Sequence, residues 1–363
     1  MPVREAEPPS PTTKKKLTCR QGQDRSQVIR HSVQWAFVVL NAWLGMQFFL
    51  WTRYFERGGV GIEVSRPAGV EGWLPIAGLM NFKYLLSTGR VPSIHPAAMF
   101  LFAGFVLISL LMKKSFCSWL CPVGTLSEYL GKTGRRLFGR SLHLPRWADN
   151  PLRGLKYLLL GFFVLIIGAM SASALDAFMS SPYGLMADVK MLNFFRNMRP
   201  AAAIVIGSLA LLSTLIQNFW CRYLCPYGAL LGLVSVLSPV KIRRDADACV
   251  DCGKCARACP AGLPVDRLVQ IRSAECNACM MCVASCSAQS ALQLALPSRQ
   301  AARPAQRWHR RAIGPIAVAA IVAYIFFGVV LFARTTNHWQ TYLPHEVYLR
   351  LVPQVNQVTH PGI

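Results

Sequence analysis

The sequence predicts an all-α integral membrane bundle of five transmembrane helices, built on an internal parallel repeat, with a small α+β domain inserted before the last helix. Three observations carry that expectation. Charged residues make up 15% of the 363 positions and apolar ones 53%, whereas an ordinary soluble domain carries about 25% charge. Uncharged runs of the ~20 residues a bilayer span needs occur at Ser32–Thr52, Val91–Met112, Tyr157–Leu175, Pro200–Cys221 and Ala312–Ala333. Twelve of the thirteen cysteines fall into tight C-x2-C and C-x3-C groups, a spacing that suits reduced thiolates holding metal better than disulfides.

The basic balance, 39 Lys+Arg against 16 Asp+Glu, sits in blocks between the apolar runs, as a membrane protein distributes its cations. Nucleic-acid binding is excluded as a first reading. The N-terminal tail carries seven of these cations, Lys113–Lys156 nine and Arg222–Arg311 thirteen, against ten on the alternate side. The positive-inside rule then puts the N-terminus in the cytoplasm and the segment after Ala333 outside. The first 30 residues are polar and lack the apolar core of a secretory signal. Six segments follow in order: 1–31 a disordered basic cytoplasmic tail containing the lone Cys19, 32–239 a four-helix membrane region, 240–296 the inserted cytoplasmic domain, 297–311 a basic linker, 312–333 the fifth helix, and 334–363 an external tail.

Within the membrane region, His95-Pro96-Ala97-Ala98, an apolar run and Phe116-Cys117-Ser118-Trp119-Leu120-Cys121-Pro122-Val123-Gly124 recur as Arg199-Pro200-Ala201-Ala202, an apolar run and Trp220-Cys221-Arg222-Tyr223-Leu224-Cys225-Pro226-Tyr227-Gly228, at an offset of 104 residues. Gly78-Leu79-Met80 and Gly184-Leu185-Met186 extend the match upstream. Two copies in the same direction form a parallel repeat of the sort transporters use, but the spans hold almost no charge for coupling a substrate, which weighs against transport. The outer segment Phe55–Arg90 is half apolar; it fits a surface-lying amphipathic helix or the wall of a quinone pocket.

The strongest signal is Cys249-x2-Cys252-x2-Cys255-x3-Cys259-Pro260 followed by Cys276-x2-Cys279-x2-Cys282-x3-Cys286. This is the bacterial two-cluster ferredoxin rhythm, in which the fourth Cys of each run ligates the other cluster. It assigns one [4Fe-4S] cluster to Cys249, Cys252, Cys255 and Cys286, and a second to Cys276, Cys279, Cys282 and Cys259. Short C-x2-C steps let a tight loop wrap three corners of a cubane, and small residues such as Gly253, Ala256, Ala258 and Ala278 let the backbone approach the sulfurs. A pair of zinc sites also suits sets of four cysteines, but not this doubled rhythm with its Pro. Val240–Arg243 and Ala291–Leu294 are expected to be the terminal strands of this two-cluster ferredoxin domain.

The pairs Cys117/Cys121 and Cys221/Cys225 end the repeated helices. Positions i and i+4 share a helix face, and the Pro after the second Cys disfavours continuing the helix unchanged. Two such pairs bring together either a third cysteine-ligated iron centre or a set of free thiols or redox-active dithiols. Among the histidines, His31 and His95 flank spans at opposite faces and form no haem pair. His95, whose repeat partner is Arg199, is either a polar helix-start residue or an acceptor for a quinol proton. Asp176 and Asp188 read as solvated surface, and the tail with His338, Trp339 and His345 reads as a partner contact or a membrane-surface segment.

Two C-x3-C-P motifs at the ends of membrane helices, followed by a two-cluster ferredoxin, resemble the polyferredoxin-type membrane electron-transfer family. That family includes the quinol-dehydrogenase membrane subunit of periplasmic nitrate reductase systems and the C-terminal half of the nitrous-oxide reductase regulator. The resemblance covers Val28–Leu296, and in length and plan the chain looks closest to the family's electron-transport members. A span after the ferredoxin is also similar to the assembly protein of cbb3-type oxidase, whose external β-domain has no counterpart after Ala333. The resemblance implies a multi-pass protein of the bacterial inner membrane that relays electrons between a quinone pool or an acidic cytoplasmic donor and a membrane or periplasmic redox partner. The alternative from another class is a redox sensor or a maturation factor using the same clusters.

Overall fold

A computed structural model describes Arg20, residues 24–139, Leu142, and residues 144–297 and 312–361. Cys19 and residues 298–311 of the linker lie outside the described residues. The helices are α1 (Ser26–Glu56), α2 (Pro75–Thr88), α3 (Pro96–Met112), α4 (Ser115–Trp119), α5 (Pro122–Phe138), α6 (Arg146–Ala169), α7 (Ala172–Ser180), α8 (Pro182–Leu185), α9 (Ala187–Arg196), α10 (Pro200–Leu215), α11 (Pro226–Val236), α12 (Lys254–Arg257), α13 (Met281–Ala284), α14 (Pro315–Thr335) and α15 (His345–Leu351). A 3₁₀ turn at Ala68–Trp73 precedes α2, and a π-helical turn at Trp220–Leu224 precedes α11. Two strands, β1 (Lys241–Arg244) and β2 (Leu292–Ala295), complete the set.

Three helices among the described residues, α1, α6 from Trp147, and α14, are long and apolar enough to cross a membrane, and α9 with α10, bent by 83°, makes a fourth as a pair. Their outward faces carry exposed Trp43, Leu165, Ile204 and Leu331, the large apolar surface that lipid tolerates and water does not. The chain is a membrane protein.

The second sequence run yields only the 17 residues of α3, because Lys113 takes a left-handed φ of 59° and its N–H turns to Ser238 Oγ. The third run is shifted. Its helix begins at Arg146, where Asp149 pairs with Arg153 at 2.5 Å, and it stops at Ala169 because Ser171 caps α7 by accepting from Ala174 N–H. The basic tail expected over 1–31 is structured at its end: Arg20 N–H donates to Ser287 O, and α1 starts at Ser26, whose N–H donates to Asp24 Oδ1.

The chain divides into two compact units, one of Met1–Phe37, Val106–Lys156 and Ser213–Tyr324, the other of Val38–Phe105, Tyr157–Leu212 and Ile325–Ile363. In the first, β1 and β2 pair antiparallel with Lys241 opposite Ala295 and Arg244 opposite Leu292, so the two expected terminal strands form one small sheet. Ile313 N–H donates to Leu294 O, which ties the start of α14 to that sheet. Trp119, Leu120, Tyr223 and Leu231 are buried in this unit.

In the second unit, Phe48, Trp51 and Phe55 of α1 pack with Val70, Met186, Val189, Leu351, Val352 and Val355. The segment after Ala333 therefore contributes to a core, and its Leu351, Val352 and Val355 pack within this unit instead of serving only as a partner contact or a membrane-surface segment. The outer segment before α3 is likewise built in: Ala77 and Met80 of α2 pack with Ile94, Ala98, Ile167, Leu175 and Met179.

Candidate iron–sulfur centres

In the inserted domain each cysteine run wraps the same backbone shape. The residues on either side of the second Cys are left-handed in both, Asp251 (φ 51°) and Gly253 (66°) around Cys252, Ala278 (50°) and Met280 (57°) around Cys279. Alternating handedness of this kind turns successive N–H groups inward as an anion-binding nest, the backbone form of many phosphate and Fe–S sites. The donor set and the nests together fit an anionic iron–sulfur cluster. Gly253 and, more weakly, Asp251 signal this shape in the sequence; Ala278 and Met280 adopt it against their preference.

The thiols fall into neighbourhoods that cross between the runs. Cys286 lies within electrostatic reach of Cys249 and Cys252, and Cys255 of Cys286 and Cys249. Cys259 instead neighbours Cys276, and Cys279 neighbours Cys259 and Cys276. Burial pushes the Cys279 thiol up to about 12, against the pull of Arg30. Cys252 is exposed, while Cys255, Cys276 and Cys282 are buried. A cavity beside Cys259, Cys276, Cys279 and Cys282 is closed by Ile242, Leu263 and Ile271. Among the described residues no three His, Cys, Asp or Glu side chains close on one metal ion.

The two C-x3-C-P motifs share one local design, and it differs from a continuous helix. The N–H of Cys121 donates to Phe116 O and that of Cys225 to Trp220 O, both at 3.0 Å and both five residues back. The chain then breaks, the second Cys becomes the N-cap of a new helix, and the Pro is its first residue, where a missing N–H costs nothing. Cys121 Sγ accepts from Gly124 N–H at 3.5 Å and Cys225 Sγ from Gly228 N–H at 3.3 Å. Each thiol thus sits at a positive helix end, which favours thiolate. Burial works the other way, raising Cys117 to about 12 and Cys121 to about 11. All four thiols share one neighbourhood: Cys221 is within reach of Cys225, Cys121 and Cys117, and also of Lys114.

These turns are held against the ferredoxin loops within the same unit. Ser118 Oγ donates to Asn277 O at 2.6 Å and Trp119 Nε1 to Ala278 O at 3.3 Å. From the other repeat Arg222 reaches Pro260 O at a long 3.5 Å, reinforced by Arg153 on Ala261 O at 2.9 Å. Asp149 fixes Arg222 at 2.7 Å and accepts from Tyr223 OH at 2.5 Å. Lys113 Nζ donates to Ser273 O, and Lys156 pairs with Glu275 at 2.5 Å.

A second polar cluster occupies the other unit. Glu71 accepts from Arg66 at 2.8 Å, from His95 Nδ1 at 3.1 Å and from Thr341 at 3.1 Å. Arg66 also donates to Asp188 at 2.6 Å. Burial opposes the Glu71 charge, but Arg66 and His95 outweigh it and bring its pKa down to about 2. His95 Nε2 faces Gly184 O at 2.9 Å. A carbonyl and an ionised carboxylate only accept, so both ring nitrogens donate and neither has a lone pair for a quinol proton. His95 is wholly buried and starts α3 as a structural cation. Asp188, expected at the surface, is buried, whereas Asp176 is exposed. His31 accompanies Lys132 and Glu128. Arg66 and Glu71 are close in sequence, but their other partners His95, Asp188 and Thr341 are remote, so the cluster carries no local sequence signal.

A family model described as a 4Fe-4S binding domain matches residues 94–141 and again 198–245, once over each C-x3-C-P motif. A 4Fe-4S dicluster domain matches residues 241–287. YccM of Escherichia coli, named as an electron transport protein, is 50% identical over 331 residues, 91% of either chain. The ferredoxin-type protein NapH of Escherichia coli is 27% identical over 56% of this chain and 71% of its own. The regulatory protein NosR of Pseudomonas aeruginosa is 30% identical over 58% of this chain and 29% of its own length. No solved structure matches the chain. With the cluster-binding models and the near full-length relative agreeing, the chain belongs to the polyferredoxin-type membrane electron-transfer family and is an iron–sulfur electron-transport protein.

Proposed function

We propose that the chain relays single electrons through three cysteine-held iron centres, between a cytoplasmic donor or the quinone pool and a redox partner in or beyond the membrane. Cys249, Cys252, Cys255 and Cys286 hold one [4Fe-4S] cluster, Cys276, Cys279, Cys282 and Cys259 the second, and Cys117, Cys121, Cys221 and Cys225 a third centre. When bound, such groups supply one-electron chemistry at potentials set by charge, hydrogen bonds and exposure.

The observation that carries this reading is a pair of contacts related by the repeat. Ser118 and Arg222 are equivalent positions, each next to the first Cys of its motif, and they reach the carbonyls of Asn277 and Pro260, each next to a Cys of the second set. The second set thus lies against the motif turns, while exposed Cys252 puts the first set within reach of a soluble partner. These contacts support an order of transfer: first set, second set, repeat thiols.

Five crossings, with the N-terminus and ferredoxin domain cytoplasmic and the C-terminus external, are supported by the alternation of Lys- and Arg-rich segments with apolar runs along the chain.

Low-temperature EPR of the anaerobically purified protein, with iron counted on the same sample, tests the proposal. Iron above the about eight atoms of two cubane clusters is expected, falling to about eight on replacing Cys117 and Cys221 with Ser. Eight irons unchanged by that replacement overturn the third centre. Signals that appear on adding a reduced quinol analogue identify quinol as donor; signals that need dithionite remove quinol from the proposal.

A further inference from the structure

The charges around the four repeat thiols do not balance. Lys156 is matched by Glu275, and Arg222 and Arg153 share one carboxylate, Asp149. Lys113 lies against Ser273 O. Lys114 is only 4% exposed, and among the described residues no carboxylate or carbonyl takes its ammonium protons. Its position is defined by Gly228: a Cβ there would lie 3.5 Å from Lys114 Nζ and 3.6 Å from Cys225 Sγ. Its charge also reaches Cys117 and Cys221. A cation on a largely buried residue, with no carboxylate beside it among the described residues, is costly to hold, and four neutral thiols do little to relieve it. An iron centre bound by four thiolates is an anion, and at these sulfurs it would lie beside this cation.

We infer that Lys114 is the counter-ion of an anionic iron–thiolate centre held by Cys117, Cys121, Cys221 and Cys225, and that it raises the reduction potential of that centre. The inference rests on the third centre proposed above. Each electron accepted from the donor adds one negative charge to the site, with no bond made or broken and no proton moved. A fixed ammonium beside it stabilises the reduced form more than the oxidised one. Lys114 is thus a positioning residue that acts on redox equilibrium through charge.

The test is a redox titration of the full-length protein, read by EPR with iron counted, for wild type, Lys114→Gln and Lys114→Arg. In Lys114→Gln the reduced form of the third centre is expected to lose about tenfold in population at fixed potential, about 59 mV for a one-electron couple. The ferredoxin signals stay where they were, and Lys114→Arg stays near wild type. Loss of the third-centre iron in Lys114→Gln with retention in Lys114→Arg supports the same conclusion, since the anion has then lost its counter-ion. An unchanged midpoint in Lys114→Gln, or equal loss of iron in both variants, overturns it. A wild-type protein with only about eight irons fails at the earlier step, and the counter-ion falls with it.

Discussion

The Glu71 cluster of the second unit and the thiol cluster of the first are both buried and both assembled from residues far apart in sequence. They differ in completeness. Around Glu71 every strong group meets a complement within the protein: Arg66 has two carboxylates, His95 an acceptor at each nitrogen, and Thr341 both accepts from His95 N–H and donates to Glu71. Around the thiols, a cation is left over, and two of the four sulfurs, those of Cys121 and Cys225, sit at positive helix ends. A cluster complete in itself holds a fold together, and one left short of negative charge is what the proposed third centre would complete. The contrast separates His95 from the electron-transfer machinery, although it begins a repeat helix exactly one repeat before Arg199.

The largest break in the comparison is expected at Gly124. A Cβ at Gly124 overlaps the Cys117 carbonyl oxygen, whereas one at Gly228 meets only ordinary contacts. Gly124→Ala should therefore abolish third-centre iron, and Gly228→Ala should retain it, measured by iron content of the two purified variants. Equal retention would show that the first turn adapts as easily as the second.

Next in size is Glu71→Gln, which should cost about 3 kcal/mol of stability, from the depth of the carboxyl shift at 1.36 kcal/mol per unit, and leave iron unchanged. The pH dependence follows the sign of that shift. With its folded pKa lowered from 4.5 to about 2, Glu71 contributes fully above pH 4.5, and the contribution drains away as pH falls toward 2. Thermal unfolding in detergent across that window should show the slope in wild type and a shallower one in Glu71→Gln. A loss of iron in this variant would join the two clusters that the comparison separates.

The smallest effect is Ser118→Ala, which removes the 2.6 Å bond to Asn277 O and should lower thermal stability by about 1 kcal/mol. The ferredoxin signals should remain, with slower reduction of the third centre by the second set. No change in that rate would mean that the contact only docks the loop.

What could be read in the sequence was whatever is written locally. The x2-x2-x3 rhythm, the two terminal strands and the 104-residue repeat each depend on neighbours along the chain. Helix ends were less legible, because α3 ends at a left-handed Lys113, a conformation that lysine does not announce, whereas the left-handed Asn218 after α10 is of a type that adopts it more readily. The N-cap role of Cys121 and Cys225 was half visible in the following Pro, but a helix face at i and i+4 was the simpler expectation. Asp188 was misread as surface because its partner Arg66 lies 122 residues away. Lys114 was hidden for another reason: a Lys pair at the end of a span already has an explanation in topology.

The repeat also sets a schedule. Cys117 and Cys121 leave the ribosome 104 residues ahead of Cys221 and Cys225, which at 5–20 residues per second leaves half of the thiol quartet waiting roughly 5 to 20 s for the other. All four ferredoxin cysteines of the second set follow later still. Iron delivered to the nascent chain would meet only a pair of thiols, so the proposed third centre would be loaded after synthesis, with Ser118 and Arg222 then held against the ferredoxin loops.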